Sequence, residues 1–108
     1  MTAISSLTFS QHAYIDRADR IAIIDRHVGW GQIVKETYHN QTYHCLTDTG
    51  VLLVIDDRKE TIITLYLIDR RALRIMYNGN PPQYLINKVN RNAGRGWVHT
   101  HRMYMLGL

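Results

Sequence analysis

Residues 51–68 hold two apolar runs, Val51–Ile55 and Thr61–Ile68, separated by five charged residues, Asp56-Asp57-Arg58-Lys59-Glu60. Both runs are rich in β-branched residues and short for a helix, and a charged link between them belongs on a surface, so the pair predicts a β-hairpin. Within Thr61–Ile68 the odd positions Ile63, Leu65 and Leu67 are all apolar, which directs that face at a core. The even positions Ile62, Thr64, Tyr66 and Ile68 are mixed, as on a face that is partly covered or carries a site.

The rest of the chain organises around this hairpin. Ser10 suits a helix N-cap, with Phe9 and Tyr14 placed to form a hydrophobic staple across it. From there Tyr14, Ile15, Ala18, Ile21 and Ala22, ending at Asp25, trace a helical stripe, with His12, Asp16, Asp19 and Arg20 opposite. The helix breaks near Asp19–Arg20 or runs to about His27, ahead of Gly29 and Gly31. Residues 30–39 fit either a helical or a strand period; the strand is preferred, because His39-Asn40-Gln41 then turns into a strand over Thr42–Thr47. Asp48-Thr49-Gly50 is a turn. A further short strand is expected over Leu73–Tyr77, then a turn at Asn78-Gly79-Asn80. A helix capped by Asn80 follows, with Pro81 first, Tyr84, Leu85, Ile86 and Val89 on its apolar side, and Gly94 and Gly96 at its end. Residues 97–108 read as an edge strand or a loose tail. The fold class is therefore α+β. An N-terminal helix or helix pair packs on an antiparallel sheet of about four to five strands, with a short C-terminal helix. Residues 1–108 form a single domain.

Composition narrows the function classes. Lys and Arg number 13 against 9 Asp and Glu, a formal net charge of +4 that favours nucleic acid or an acidic protein as partner. The lone cysteine, Cys45, excludes an internal disulfide framework and a multi-cysteine zinc site and fits a reducing, cytoplasmic compartment. The opening MTAISSLTFSQH has neither the basic nor the apolar region of a secretory signal, and no apolar run spans a bilayer. No Walker, dinucleotide-binding or G-x-S-x-G pattern is present, so no cofactor is expected.

Candidate chemistry is sparse. His99 and His101 share a strand face but have no carboxylate or cysteine nearby in sequence to complete a metal site, so no metal is expected. His39 and His44 flank a turn, and Cys45 reads as a small core residue rather than a nucleophile. The remaining group is His12, Arg17 and Arg20 on the helix with Thr64 and Tyr66 on the mixed strand face. Metal-independent RNA cleavage needs a base, an acid and cations at the phosphate, roles that histidine, tyrosine and arginine can fill.

The run Phe9-Ser10-Gln11-His12-Ala13, with arginines at 17 and 20, resembles the F-S-x-H-A opening of small phage and mobile-element proteins of the RelE-like and barnase–EndoU–colicin (BECR) ribonuclease superfamily. The pair Thr64 and Tyr66 matches the T-x-Y strand of that group, and the stretch from Thr47 to Asp56 is similar to such prophage proteins. In the usual opening the first arginine follows the histidine by four residues; here Asp16 stands there and Arg17 comes next. The resemblance implies an RNA-engaging, toxin-like domain, with His12 as base or acid, Arg17 and Arg20 at the phosphate, and Thr64 and Tyr66 orienting or donating. The alternative is a non-enzymatic inhibitor or regulator that binds a host protein, with Trp30, Trp97, Tyr104 and Met105 as anchors.

Overall fold

The computed structural model describes residues 7–93. Four strands form an antiparallel meander: β2 (Ile33–His39), β3 (Thr42–Thr47), β4 (Val51–Asp56) and β5 (Thr61–Leu67). A two-residue strand, β1 (Thr8–Phe9), adds to β5 in parallel, giving the order β1-β5-β4-β3-β2. The helices are α1 (Gln11–Asp16), α2 (Ala18–Ile23), α3 (Arg70–Met76) and α4 (Gln83–Asn92). The expected α+β class, N-terminal helix pair and C-terminal helix are all present.

Turn chemistry sets the meander's register. Asn40 and Gln41 both take positive φ, 50° and 63°, the geometry of a two-residue hairpin whose twist matches its strands. Between β4 and β5, the Asp56 carboxylate accepts the backbone N–H groups of Glu60 at 2.8 Å and Thr61 at 2.9 Å, closing the charged loop. One irregularity changes which side chains face where. Val54 pairs with Thr64 and Ile55 with Ile62, so Ile63 is an extra residue on β5. The bulge moves Ile62 onto the face of Leu65 and Leu67, and it is Ile62, not Ile63, that is buried there.

Both faces of the sheet are covered. Val51, Leu53, Ile55, Ile62, Leu65 and Leu67 pack under the N-terminal segment, with Ala13, Ile24, Phe9 and Trp30 above them. Leu46, Leu52, Tyr66 and Ile68 pack on the other side, under Ala72, Leu73 and Met76 of α3 and Leu85 and Val89 of α4. Ser10 ties the first layer to the sheet. Its hydroxyl accepts the Ala13 N–H at 3.1 Å, as the N-cap reading predicts, and donates to the Ile63 carbonyl at 3.1 Å.

The N-terminal stripe is corrected. The backbone leaves helical geometry at Arg17 (φ −122°, ψ 22°), so α1 and α2 are separate and their faces no longer align. Tyr14 and Ile15 are exposed at 68% and 61%, and the staple between Phe9 and Tyr14 does not form. Phe9 instead meets Trp30, ring centroids 5.7 Å apart. After α2 the chain widens into a π-turn over Ile24–Val28, closed by the Gly29 N–H on the Ile24 carbonyl at 2.7 Å.

The strand expected at Leu73–Tyr77 is also corrected: that segment belongs to α3. The Asp69 carboxylate caps the helix by accepting the Ala72 N–H at 2.8 Å. Ala72, Leu73 and Met76 then bury one side of it. Asn78 and Gly79, both at positive φ, stop the helix, with the Gly79 N–H on the Arg74 carbonyl at 2.8 Å. The last helix starts at Gln83, with Pro82 rather than Asn80 at its N-cap. Gly94, Gly96 and residues 97–108 lie outside the described residues.

The end of α4 is anchored to the β3–β4 turn. The Asn92 amide donates to the Thr49 carbonyl at 2.9 Å, beside Gly50 at φ 89°. A Cβ on Gly50 would stand 2.9 Å from that amide nitrogen. Gly50→Ala is expected to lose about 2–3 kcal/mol, combining positive-φ strain with displacement of Asn92. Urea denaturation followed by circular dichroism would measure it.

Candidate functional site

The five residues matched by the resemblance divide into two groups. His12 lies exposed on α1 and pairs through Nδ1 with the Asp16 carboxylate at 2.8 Å. Asp16, which stands where the resemblance places an arginine, therefore engages the imidazole one turn away. Arg17 sits at the break between α1 and α2 and donates to the Asp16 carbonyl at 3.1 Å.

Arg20, Thr64 and Tyr66 form the second group. The Arg20 guanidinium donates to the Leu65 carbonyl at 3.0 Å, and its central carbon lies 5.4 Å from the Tyr66 ring centroid. β1 pairs with β5 only through Thr8–Thr61 and Phe9–Ile62. The β5 edge beyond that pairing is where the Leu65 carbonyl meets the guanidinium, so Arg20 takes over the role of a strand partner. Tyr66 faces α3 and α4 and is buried, 5% exposed, among Leu46, Leu52, Leu73 and Met76. Thr64 is one pair further along the same face.

Thr64 belongs to a row of polar side chains that sequence reading did not connect. The registers align Thr37 with His44, His44 with Val54, and Val54 with Thr64 across four strands. Thr37 Oγ1, His44 Nδ1 and Thr64 Oγ1 are all shut off from solvent and without a hydrogen-bond partner. An unsatisfied buried hydroxyl or imidazole nitrogen costs about 1–3 kcal/mol. The row thus weighs against stability where Val or Leu would serve the core better. The pairing itself, set by the turn at Asn40-Gln41, could not be read from any one strand.

His44 responds to this setting. Burial, and then the nearby His39, lower its pKa from 6.5 to about 4, so the imidazole is neutral at neutral pH. Cys45, next in the chain but on the opposite face, is buried at 1% exposure. Desolvation, with Glu36 next, pushes its thiol up to about 12, which makes it a core residue and not a nucleophile. Among the described residues no cluster of three or more His, Cys, Asp or Glu could hold a metal ion. His99 and His101 lie outside them. Trp30, expected as an exposed anchor, is half-buried, its indole N–H donating to the Asp25 carboxylate. Trp97, Tyr104 and Met105 are outside the described residues.

Three arginines gather on α3. Arg70, Arg71 and Arg74 are exposed and, with Ile75, line an open depression. Arg70 and Arg74, one turn apart, also edge a small cleft of about 30 Å³ whose other walls are Leu73, Pro81 and Ile86. The strand expected at Leu73–Tyr77 left these arginines unconnected. The available signal was Asp69, a capping residue followed by helix formers. No helix among the described residues is long and apolar enough to cross a membrane.

Compared with protein-family models, with curated proteins and with solved structures, the chain shows no significant match.

Two outcomes follow from the polar row. Thr64→Val keeps the side-chain shape and removes the unpartnered hydroxyl, so the variant is expected to be more stable by about 1 kcal/mol in chemical denaturation. The pKa of His44 is lower in the folded chain than in the unfolded one. Its contribution is complete above about pH 6.5 and is lost as pH falls towards about 4. Replacing His44 with Leu should flatten the decline in stability between those values, measured by urea titrations at each pH.

Proposed function

We propose that this chain is an RNA-engaging domain whose principal contact is the arginine face of α3, in keeping with the RelE/BECR-like resemblance of its sequence. The observation that carries the reading is the exposure of Arg70, Arg71 and Arg74 together on one short helix, over an open depression. Guanidinium groups suit phosphate because their forked donors match its oxygens in both charge and geometry. Asp69, the nearest acid in sequence, accepts the Ala72 N–H at the helix cap.

The catalytic form of this reading is a metal-independent endoribonuclease of phage or mobile-element type. His12 would serve as base or acid, Arg17 and Arg20 would act at the phosphate, and Thr64 and Tyr66 would orient or donate. Contact between Arg20 and Tyr66 supports part of that set. The exposed imidazole of His12 is accessible to substrate, whereas the phenol of Tyr66 is enclosed. A second reading, docking on a host protein without chemistry, is favoured by the adjacent exposed side chains Tyr14 and Ile15 on α1.

Fluorescence anisotropy with a labelled RNA tests the proposal. Three phosphate contacts predict a fall in affinity of about 20-fold between 50 and 200 mM salt for a single strand. Replacing Arg70, Arg71 and Arg74 with Ala should weaken binding at least 10-fold and flatten that salt dependence. Wild-type affinity that is absent, or indifferent to both salt and the triple replacement, would overturn the reading. The same samples on a denaturing gel show whether the RNA is cleaved and whether His12→Ala abolishes cleavage.

A further inference from the structure

β2 ends the sheet: in the order β1-β5-β4-β3-β2, only β3 pairs with it among the described residues. The strand reads Ile-Val-Lys-Glu-Thr-Tyr-His, with neither proline nor glycine. From Lys35 to His39 it follows β3 in regular register, and its one irregularity lies between Ile33 and Lys35. The two-residue turn at Asn40-Gln41 makes His39 and Thr42 a hydrogen-bonded pair, and pairs alternate from there. Lys35, Thr37 and His39 therefore spend their main-chain groups on β3, while Glu36 and Tyr38 turn theirs outward.

Sheet edges are ordinarily guarded by charged side chains that obstruct an incoming strand. Here both charges on the regular stretch are drawn back into their own chain. The Glu36 carboxylate holds the Lys59 ammonium at 3.0 Å. On the other face, the Lys35 ammonium lies 5.0 Å from the Tyr77 ring centroid. The side chain left prominent is Tyr38, 56% exposed and packed on Tyr43 with ring centroids 4.8 Å apart. A tyrosine already held against a neighbour loses little freedom when covered, which suits it to an interface.

The order of residues in β2 suits pairing with itself. An antiparallel two-fold centred on Lys35 or Glu36 sets like charges opposite one another, and one centred on Tyr38 shortens the overlap to residues 37–39. Centred on Thr37, the pair sets Thr37 against its counterpart, Glu36 against Tyr38 and Lys35 against His39, with no carboxylate facing a carboxylate and no ammonium an ammonium. Glu36 and Tyr38 then form the hydrogen-bonded pairs, with about four main-chain bonds in all. The Thr37 hydroxyl, which lacks a partner within the chain, reaches its counterpart by a χ1 rotation.

We propose that the free edge of β2 is a self-association surface, joining two copies of this chain into one antiparallel sheet about a two-fold axis at Thr37. The inference is independent of the arginine face of α3.

Sedimentation velocity on the purified full chain, over a concentration series, is expected to show a monomer giving way to a species of doubled mass. Cross-linking with diamide reads the register. Thr37→Cys brings two thiols together at the axis, in a non-hydrogen-bonded pair whose Cα atoms stand about 4.5 Å apart, within disulfide reach. Tyr38→Cys sets its thiol opposite Glu36 instead. The first variant should give about 10-fold more covalent dimer than the second, because disulfide geometry tolerates little displacement. Native Cys45, buried at 1% exposure, should give none. Circular dichroism checks that both variants fold. A wild-type chain that stays monomeric at every concentration overturns the proposal and leaves this edge to a different protein. Equal cross-linking of the two variants, or none by either, overturns it as well.

Discussion

The pairing of β4 with β5 is the interaction on which the other elements depend. Leu53 lies opposite Leu65 and Leu52 opposite Tyr66, so each step of this central ladder adds an apolar pair to one face and then to the other. Neither face can be left to water, and the chain answers with two separate layers. The N-terminal segment comes down on Leu53, Leu65 and Leu67, and α3 with α4 on Leu52 and Tyr66. Each layer is fastened by specific polar contacts. Ser10 binds to the Ile63 carbonyl on one side, and Asn92 to the Thr49 carbonyl on the other.

This arrangement bears directly on function. A helix pair lying on one face and a phenol on the other would meet only around the sheet's edge, and Arg20 takes that route, crossing at Leu65 to reach the Tyr66 ring. His12 and Arg17 remain with the N-terminal layer, where Asp16 engages both. Exposed arginines are carried instead by α3, a helix whose inner side is fixed by Ala72, Leu73 and Met76 and whose outer side presents Arg70, Arg71 and Arg74. The Thr37–His44–Thr64 row marks a different tension. It places polar atoms where the core would be better served by carbon, a pattern that proteins retain at positions under a demand other than stability.

The local patterns that were legible share one property: they are complete within a few residues. Val51–Ile55, the charged loop and Thr61–Ile68 announce a hairpin because alternation and turn composition coincide. Ser10 announces a cap because its partner is three residues away. Where reading failed, a single irregular residue intervened. The break at Arg17 rotated Tyr14 and Ile15 out of the predicted stripe. The extra residue Ile63 exchanged the burial expected of it with Ile62. In α3 the run Leu73–Tyr77 has strand-like composition taken alone, and the capping carboxylate of Asp69, four residues upstream of Leu73, decides for helix.

The sequence by itself determined the class of the fold, the central hairpin and its turns, the first N-cap and the positive balance of charge, since each follows from periodicity, short-range hydrogen bonding or composition. Tertiary structure alone decided which polar groups meet. The cross-strand row of Thr37, His44 and Thr64, the approach of Arg20 to Tyr66 and that of Lys35 to Tyr77 join residues from separate elements. Their proximity arises from strand register and from how helices cross a sheet, and a one-residue slip or bulge reverses which side chains share a face.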